Sequence, residues 1–153
     1  MNQSRSNRRR VLGMMAVAAI GGRLPGAAAA DTDPASTLIR DLVGASPLRE
    51  GGIRLTIPEL ADTGHSVPVT IDVDSPMTAN DFVKSIHLIA PRNPRPLAAS
   101  VFLSALSGRA SFATRMRLAG EQEVVAIAKL SDGSHCLARA KVVVTVSSCI
   151  DGT

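Results

Sequence analysis

The 153-residue chain has no tryptophan, no tyrosine and only three phenylalanines. With so few rings it lacks the aromatic platform on which single-stranded nucleic acids stack. It also lacks an evenly spread positive charge. The net of +4 is concentrated in the first thirty positions, where Arg5, Arg8, Arg9, Arg10 and Arg23 face no acid. With those five arginines set aside, twelve basic residues stand against thirteen acidic ones, a net of −1. The electrostatic case for a nucleic-acid partner goes with them. No phosphate loop, dinucleotide fingerprint or G-x-S-x-G elbow is present, so there is no motif support for nucleotide or serine-hydrolase chemistry. Of the three histidines, His65, His87 and His135, only His135 lies near a possible co-ligand, the adjacent Cys136. Neighbouring strand residues point to opposite faces, so that pair does not readily share a metal. No metal site and no cofactor are expected.

What the first thirty residues do contain is an address. In NRRRVLG (Asn7 to Gly13) paired arginines precede an apolar stretch from Val11 to Ile20, and AAAA (Ala27 to Ala30) offers small side chains for a signal peptidase. The stretch is too short to span a membrane, which takes roughly 20 apolar residues. Arg-Arg-x-hydrophobic-Leu resembles the twin-arginine signal, a receptor-read address. Residues 1–30 are therefore expected to be a twin-arginine-type signal peptide, and the protein to be periplasmic with no membrane span. An ordinary secretory signal is the alternative, and it leads to the same side of the membrane.

The remainder divides by periodicity. Asp31 to Ser46 reads as one short helix, with Asp33 as N-cap, Pro34 in the first turn and Gly44 at the end. Leu38, Ile39, Leu42 and Val43 form its apolar stripe. After it the period becomes two. Ile53–Ile57, Val67–Val73, Ile86–Leu88, Phe112–Leu118, Val124–Leu130 and Cys136–Val146 each alternate apolar with polar or small residues. That is the mark of half-buried strands. Turn signals separate them, among them Asp74-Ser75-Pro76, Ser107-Gly108 and Asp132-Gly133. About seven short strands over roughly 100 residues predict an all-β, immunoglobulin-like sandwich over residues 31–146.

The two cysteines then pose the chemical question. In an oxidising compartment the plain expectation is a structural disulfide. Strand geometry argues against it. A strand from His135 to Val146 is on the order of 35 Å long, Cys136 stands at its start, and Cys149 stands three residues past its end. A disulfide needs Cα atoms roughly 4.4–6.8 Å apart. Cys136, on the apolar face, reads as a buried small hydrophobe. Cys149 reads as an unpaired thiol on a flexible arm, residues 147–153. No Lys, Arg or His flanks it, and Asp151 disfavours a thiolate. It suits a handle that other proteins load and unload better than a catalytic nucleophile. A seven-residue arm spans at most about 25 Å, enough to enter a partner's pocket.

Several stretches carry a resemblance. Val73-Asp74-Ser75-Pro76-Met77, Val83-Lys84-Ser85-Ile86-His87, Thr114-Arg115-Met116-Arg117-Leu118-Ala119 and the ending KVVVTVSSC resemble the SoxY family. These are the sulfur-carrying subunits of the periplasmic thiosulfate-oxidising system, and the resemblance covers nearly the whole chain after the leader. It implies an immunoglobulin-like fold, a heterodimer with a SoxZ-like sandwich, and no enzyme activity of its own. A SoxAX-like haem protein would attach thiosulfate oxidatively to the tail cysteine. A SoxB-like hydrolase would then release sulfate, and in some systems a SoxCD-like dehydrogenase oxidises the remaining sulfane sulfur. The matching position is Cys149, the implied point of covalent sulfur attachment. The family tail, usually Gly-Gly-Cys-Gly-Gly, is replaced here by Ser147, Ser148, Cys149, Ile150, Asp151 and Gly152. Glycines give freedom at every φ, and the replacements add bulk and charge beside the thiol.

Two rivals stand beside carriage. One is a non-catalytic interaction subunit, or a divergent SoxY paralogue that has lost carriage. The other is a thiol-reactive enzyme, which the unactivated thiol disfavours. Arg115 and Arg117, on an outward strand face, are candidates for a partner surface or plain solvated charges.

Overall fold

A computed structural model describes residues 33–146. The expected signal peptide and the arm with Cys149 lie outside the described residues. The helix forms where capping predicts it. α1 spans Pro34–Val43, Asp33 accepts a hydrogen bond from the Ala35 amide, and the Gly44 amide donates to the Arg40 carbonyl. Nine strands follow: β1 (Leu48–Glu50), β2 (Ile53–Thr56), β3 (Leu60–Thr63), β4 (Val67–Val73), β5 (Val83–Ile89), β6 (Leu97–Phe102), β7 (Ser111–Met116), β8 (Gln122–Leu130) and β9 (His135–Val146). They make a six-stranded sheet in the order β1-β9-β8-β5-β6, with β3 also on β9, and a three-stranded sheet in the order β2-β4-β7.

The predicted sandwich is there, with nine strands rather than about seven. The strands not foreseen are β1, β3 and β6. Gly51 and Gly52 connect β1 to β2 with φ of +98° and +70°, a backbone region that glycine enters freely. That corner moves the chain from one sheet to the other. The Gly52 carbonyl accepts from the Asp74 amide, which ties the corner to the end of β4.

The main core lies between the sheets. Val67, Val69, Ile71 and Val73 of β4 face Val83, Ile86 and Leu88 of β5, Val124, Ala126 and Ala128 of β8, and Val142 of β9. A second, smaller core lies on the other side of the larger sheet. There Ala35 and Val43 of α1 pack on Ile89, Val125, Ile127 and Leu137. Alternation alone predicts Val125 and Ile127 on an open face, but α1 covers them, and β8 is buried on both sides.

Met77, in one of the stretches that carry the resemblance, has a positive φ of 51°. Its side chain is buried in the main core and its sulfur accepts from the Val83 amide. The Asp74–Met77 stretch is thus a corner that opens β5.

Candidate functional site

β9 organises the chemistry. Twelve residues long, it pairs antiparallel with β8 only from His135 to Val142. On its other edge β1 pairs in parallel at its start, Leu48 opposite His135, and β3 pairs in parallel at its end, Thr63 opposite Val146. Its last four residues therefore overhang β8 and pair with β3, and the Val143 amide donates to the Glu59 carbonyl just before it. Gly64 completes the hold: its amide donates to the Val146 carbonyl at 2.8 Å, and its carbonyl accepts from the Leu118 amide at 2.9 Å. Leu60 and Val143, register partners, are exposed here together with Val146. Val146, the last described residue of the strand, is thus held in place.

At the opposite end of the same strand, Cys136 is a free thiol buried in the main core. Burial pushes its pKa up, Asp132 adds to this, and Arg49 opposes it. The strand's length separates the start of β9 from the root of the tail by on the order of 30 Å.

The histidines do not converge on a metal, and no group of three or more His, Cys, Asp or Glu among the described residues is arranged to hold one. His65 is exposed beside Gly64. His87 bridges two hydroxyls, with Nδ1 2.9 Å from Ser100 Oγ and Nε2 3.0 Å from Ser85 Oγ, and meets Phe102 edge-on at 6.1 Å. His135 is buried, and both its ring nitrogens lack a hydrogen-bond partner among the described residues. Burial chiefly holds the pKa of both histidines below the ordinary range; Lys129 adds to this for each, and His135 adds to it for His87. Sequence reasoning missed this pairing, because His87 and His135 come together only through the β5-β8-β9 register.

Arg115 and Arg117 are exposed, as expected. The Arg115 guanidinium donates to the Ser66 carbonyl and hydroxyl, next to the Gly64 anchor. The Arg117 carbonyl accepts from Asn93, whose own side-chain oxygen accepts from the Ala119 amide and from Gln122. The corner after β7 is thereby locked to the loop before β6. The predicted attachment residue Cys149 and its neighbours Ser147, Ser148, Ile150, Asp151 and Gly152 lie outside the described residues.

Comparison with known proteins decides the family. Residues 39–149 match sulfur oxidation protein SoxY. The chain belongs to the SoxY family. Among solved structures, the sulfur carrier protein SoxY from Chlorobium limicola f thiosulfatophilum is similar, with 27% identity, a TM-score of 0.60 and coverage of 72% of this chain and 96% of that one. The superoxide reductase (neelaredoxin) from Ignicoccus hospitalis shares the fold at 16% identity and a TM-score of 0.55, covering 61% of this chain and 80% of that one. The superoxide reductase from Nanoarchaeum equitans does so at 12% identity and 0.52, covering 63% and 99%. No curated protein matches. The SoxY fold is thus a sandwich that other proteins also use, and the likeness to the reductases extends to architecture alone. No helix among the described residues is long and apolar enough to cross a membrane.

Proposed function

We propose that the chain is a periplasmic sulfur carrier, exported by its twin-arginine-type leader, that holds thiosulfate-derived sulfur covalently on Cys149 and is not itself an enzyme. The observation that carries this reading is the extent of the SoxY match, which runs through the sandwich and ends on Cys149. The anchored end of β9 and the buried state of Cys136 support it: one thiol is committed to the core and the other follows the strand's free end.

Loading would join the Cys149 sulfur to the sulfane sulfur of thiosulfate. The thiol proton leaves, and two electrons pass to a haem protein of the SoxAX type. Hydrolysis by a SoxB-like partner would then add water across the S–S(O₃) bond, releasing sulfate and protons and leaving a persulfide on Cys149. A SoxCD-like dehydrogenase would act on that persulfide. The chain's own part is to present the sulfur and, with a SoxZ-like sandwich, to give the enzymes a surface to grip. The altered tail, with Ile150 and Asp151 in place of glycines, calls for partner pockets wider than a glycine-lined passage requires.

The test is intact mass of the protein taken from its own periplasm during growth on thiosulfate. Carriage predicts reductant-sensitive thiosulfonate and persulfide adducts on Cys149, absent in Cys149→Ser. A bare thiol under those conditions, or full thiosulfate oxidation by Cys149→Ser cells, would leave only the interaction-subunit reading.

A further inference from the structure

The open side of the sandwich, between the edge strands β6 and β7, holds a groove of about 410 Å³. Arg95, Arg115 and Arg117 line it together with Asn93, Thr114 and Leu97. Four ion pairs join charges elsewhere on the described surface. Glu121 takes Lys141 at 2.7 Å, Glu123 takes Arg139, Asp132 takes Arg49 and Asp72 takes Arg109. The three groove arginines enter no such pair among the described residues. The Arg92 guanidinium donates to the Glu121 carbonyl, and its backbone amide donates to the Gln122 side chain. The acids closest in sequence to the Gly64 anchor are Glu59 and Asp62 in and before β3, and neither is paired with a groove arginine. In a domain of net −1 after the leader, this is a local cationic excess.

The groove also adjoins the root of the tail. Val146 and Leu118 are bonded to the two sides of the same residue, Gly64, and Leu118 directly follows Arg117. Arg115 reaches Ser66, two residues beyond Gly64. Cys149 stands three positions beyond Val146, a span of at most about 11 Å. An arginine side chain extends several ångströms to meet it.

We infer that this groove is a resting site for the chain's own loaded arm: Arg95, Arg115 and Arg117 receive the anionic sulfonate end of a thiosulfonate carried on Cys149. The inference rests on the carriage reading. A guanidinium fork matches the oxygens of a sulfonate as it does those of a phosphate or carboxylate. The bare thiol and the persulfide offer no such oxygens, so the groove distinguishes the thiosulfonate from the species before loading and after hydrolysis. Docking there shields the S–S bond from stray thiols until a partner draws the arm out.

The experiment uses the chain without its leader. Tetrathionate loads it: the Cys149 thiolate attacks an inner sulfur, thiosulfate leaves, and a thiosulfonate remains on Cys149. A 2-mercaptoethanol mixed disulfide at Cys149 serves as the uncharged control. Reduction of each adduct by dithiothreitol is followed by intact mass at low and high salt. At low salt the thiosulfonate in Arg115→Gln/Arg117→Gln is expected to reduce roughly three- to tenfold faster than in the parent, as two exposed ion pairs allow. Salt should erase the difference, and the mixed disulfide should show none. Arg95→Gln alone, at an exposed residue, gives a smaller change in the same direction and guards against a fold effect of losing the Arg115–Ser66 bonds. Equal rates for all variants, or an equal acceleration of the uncharged adduct, would overturn the resting site. Neither outcome touches carriage itself, which fails if Cys149 is found bare in thiosulfate-grown cells or if Cys149→Ser cells oxidise thiosulfate fully.

Discussion

His135 shows what a single buried side chain imposes. Its two ring nitrogens find no partner among the described residues, and an unmet buried polar group costs about 1–3 kcal/mol. The ring is held neutral by burial and by Lys129. Its folded pKa lies below the unfolded value of about 6.5, so as pH falls the unfolded chain takes up its proton first. Stability is therefore intact above about pH 6.5 and declines as pH drops below it, until the folded pKa is reached. His87 shifts in the same direction and adds to the loss. Urea midpoints measured from pH 7.5 to 5 should fall, and His135→Phe should flatten the curve in part; a midpoint that does not move would contradict a buried neutral ring. Cys136 supplies a second residue-scale expectation. Buried and with its pKa raised, it should resist a maleimide in the native protein while Cys149 reacts. Two labels in the native protein by intact mass would mean that the core admits the reagent.

Among the elements, legibility followed periodicity. The helix, with Asp33, Pro34 and Gly44 at its ends, could be read because capping chemistry is local. The strands β2, β4, β5, β7, β8 and β9 could be read because apolar side chains alternate along them. β6, with the sequence LAASVF, could not, since alanine and serine give little contrast between faces and the strand lies at a sheet edge. β1 and β3 are three and four residues long and exist because β9 offers them an edge. The burial of Val125 and Ile127 was hidden for a related reason: α1 covers them from far away in sequence. The same logic applies to the site. Cys149 stood out in the sequence, whereas the groove needed Arg95, just before β6, and Arg117, just after β7, to line one side of the sandwich together. Two substitutions probe these elements. Asp33→Ala removes the cap on α1 and should cost about 1 kcal/mol, read as a lower thermal midpoint with the strand signal unchanged. At Gly52 a Cβ would meet only the Cys136 sulfur at 3.5 Å, an ordinary contact. Gly52→Ala should therefore destabilise by about 1 kcal/mol through its φ of +70° alone, and a loss of several kcal/mol would mean that the sheet-switching corner is packed more tightly.

For the molecule as a whole, the proposed carriage divides labour between the two cysteines. Cys136 is a free thiol buried in the core, and the proposal assigns the covalent chemistry to Cys149. An exposed lone thiol outside the cytoplasm pairs with its like. Mild oxidation of the chain without its leader should give a disulfide-linked dimer on non-reducing gels, and Cys149→Ser should give none. A dimer that survives the substitution would point to Cys136 and to an opened core. Finally, the way β9 is seated has a mechanical consequence. Under the proposed carriage, partners that seize the cargo would tug the tail lengthwise. The pull then falls along a twelve-residue strand gripped by β8 on one side and by β1 and β3 on the other. Hydrogen bonds loaded that way yield together in shear instead of unzipping one by one. A tether of the proposed kind would then be hauled repeatedly between enzymes without unravelling the body to which it is tied.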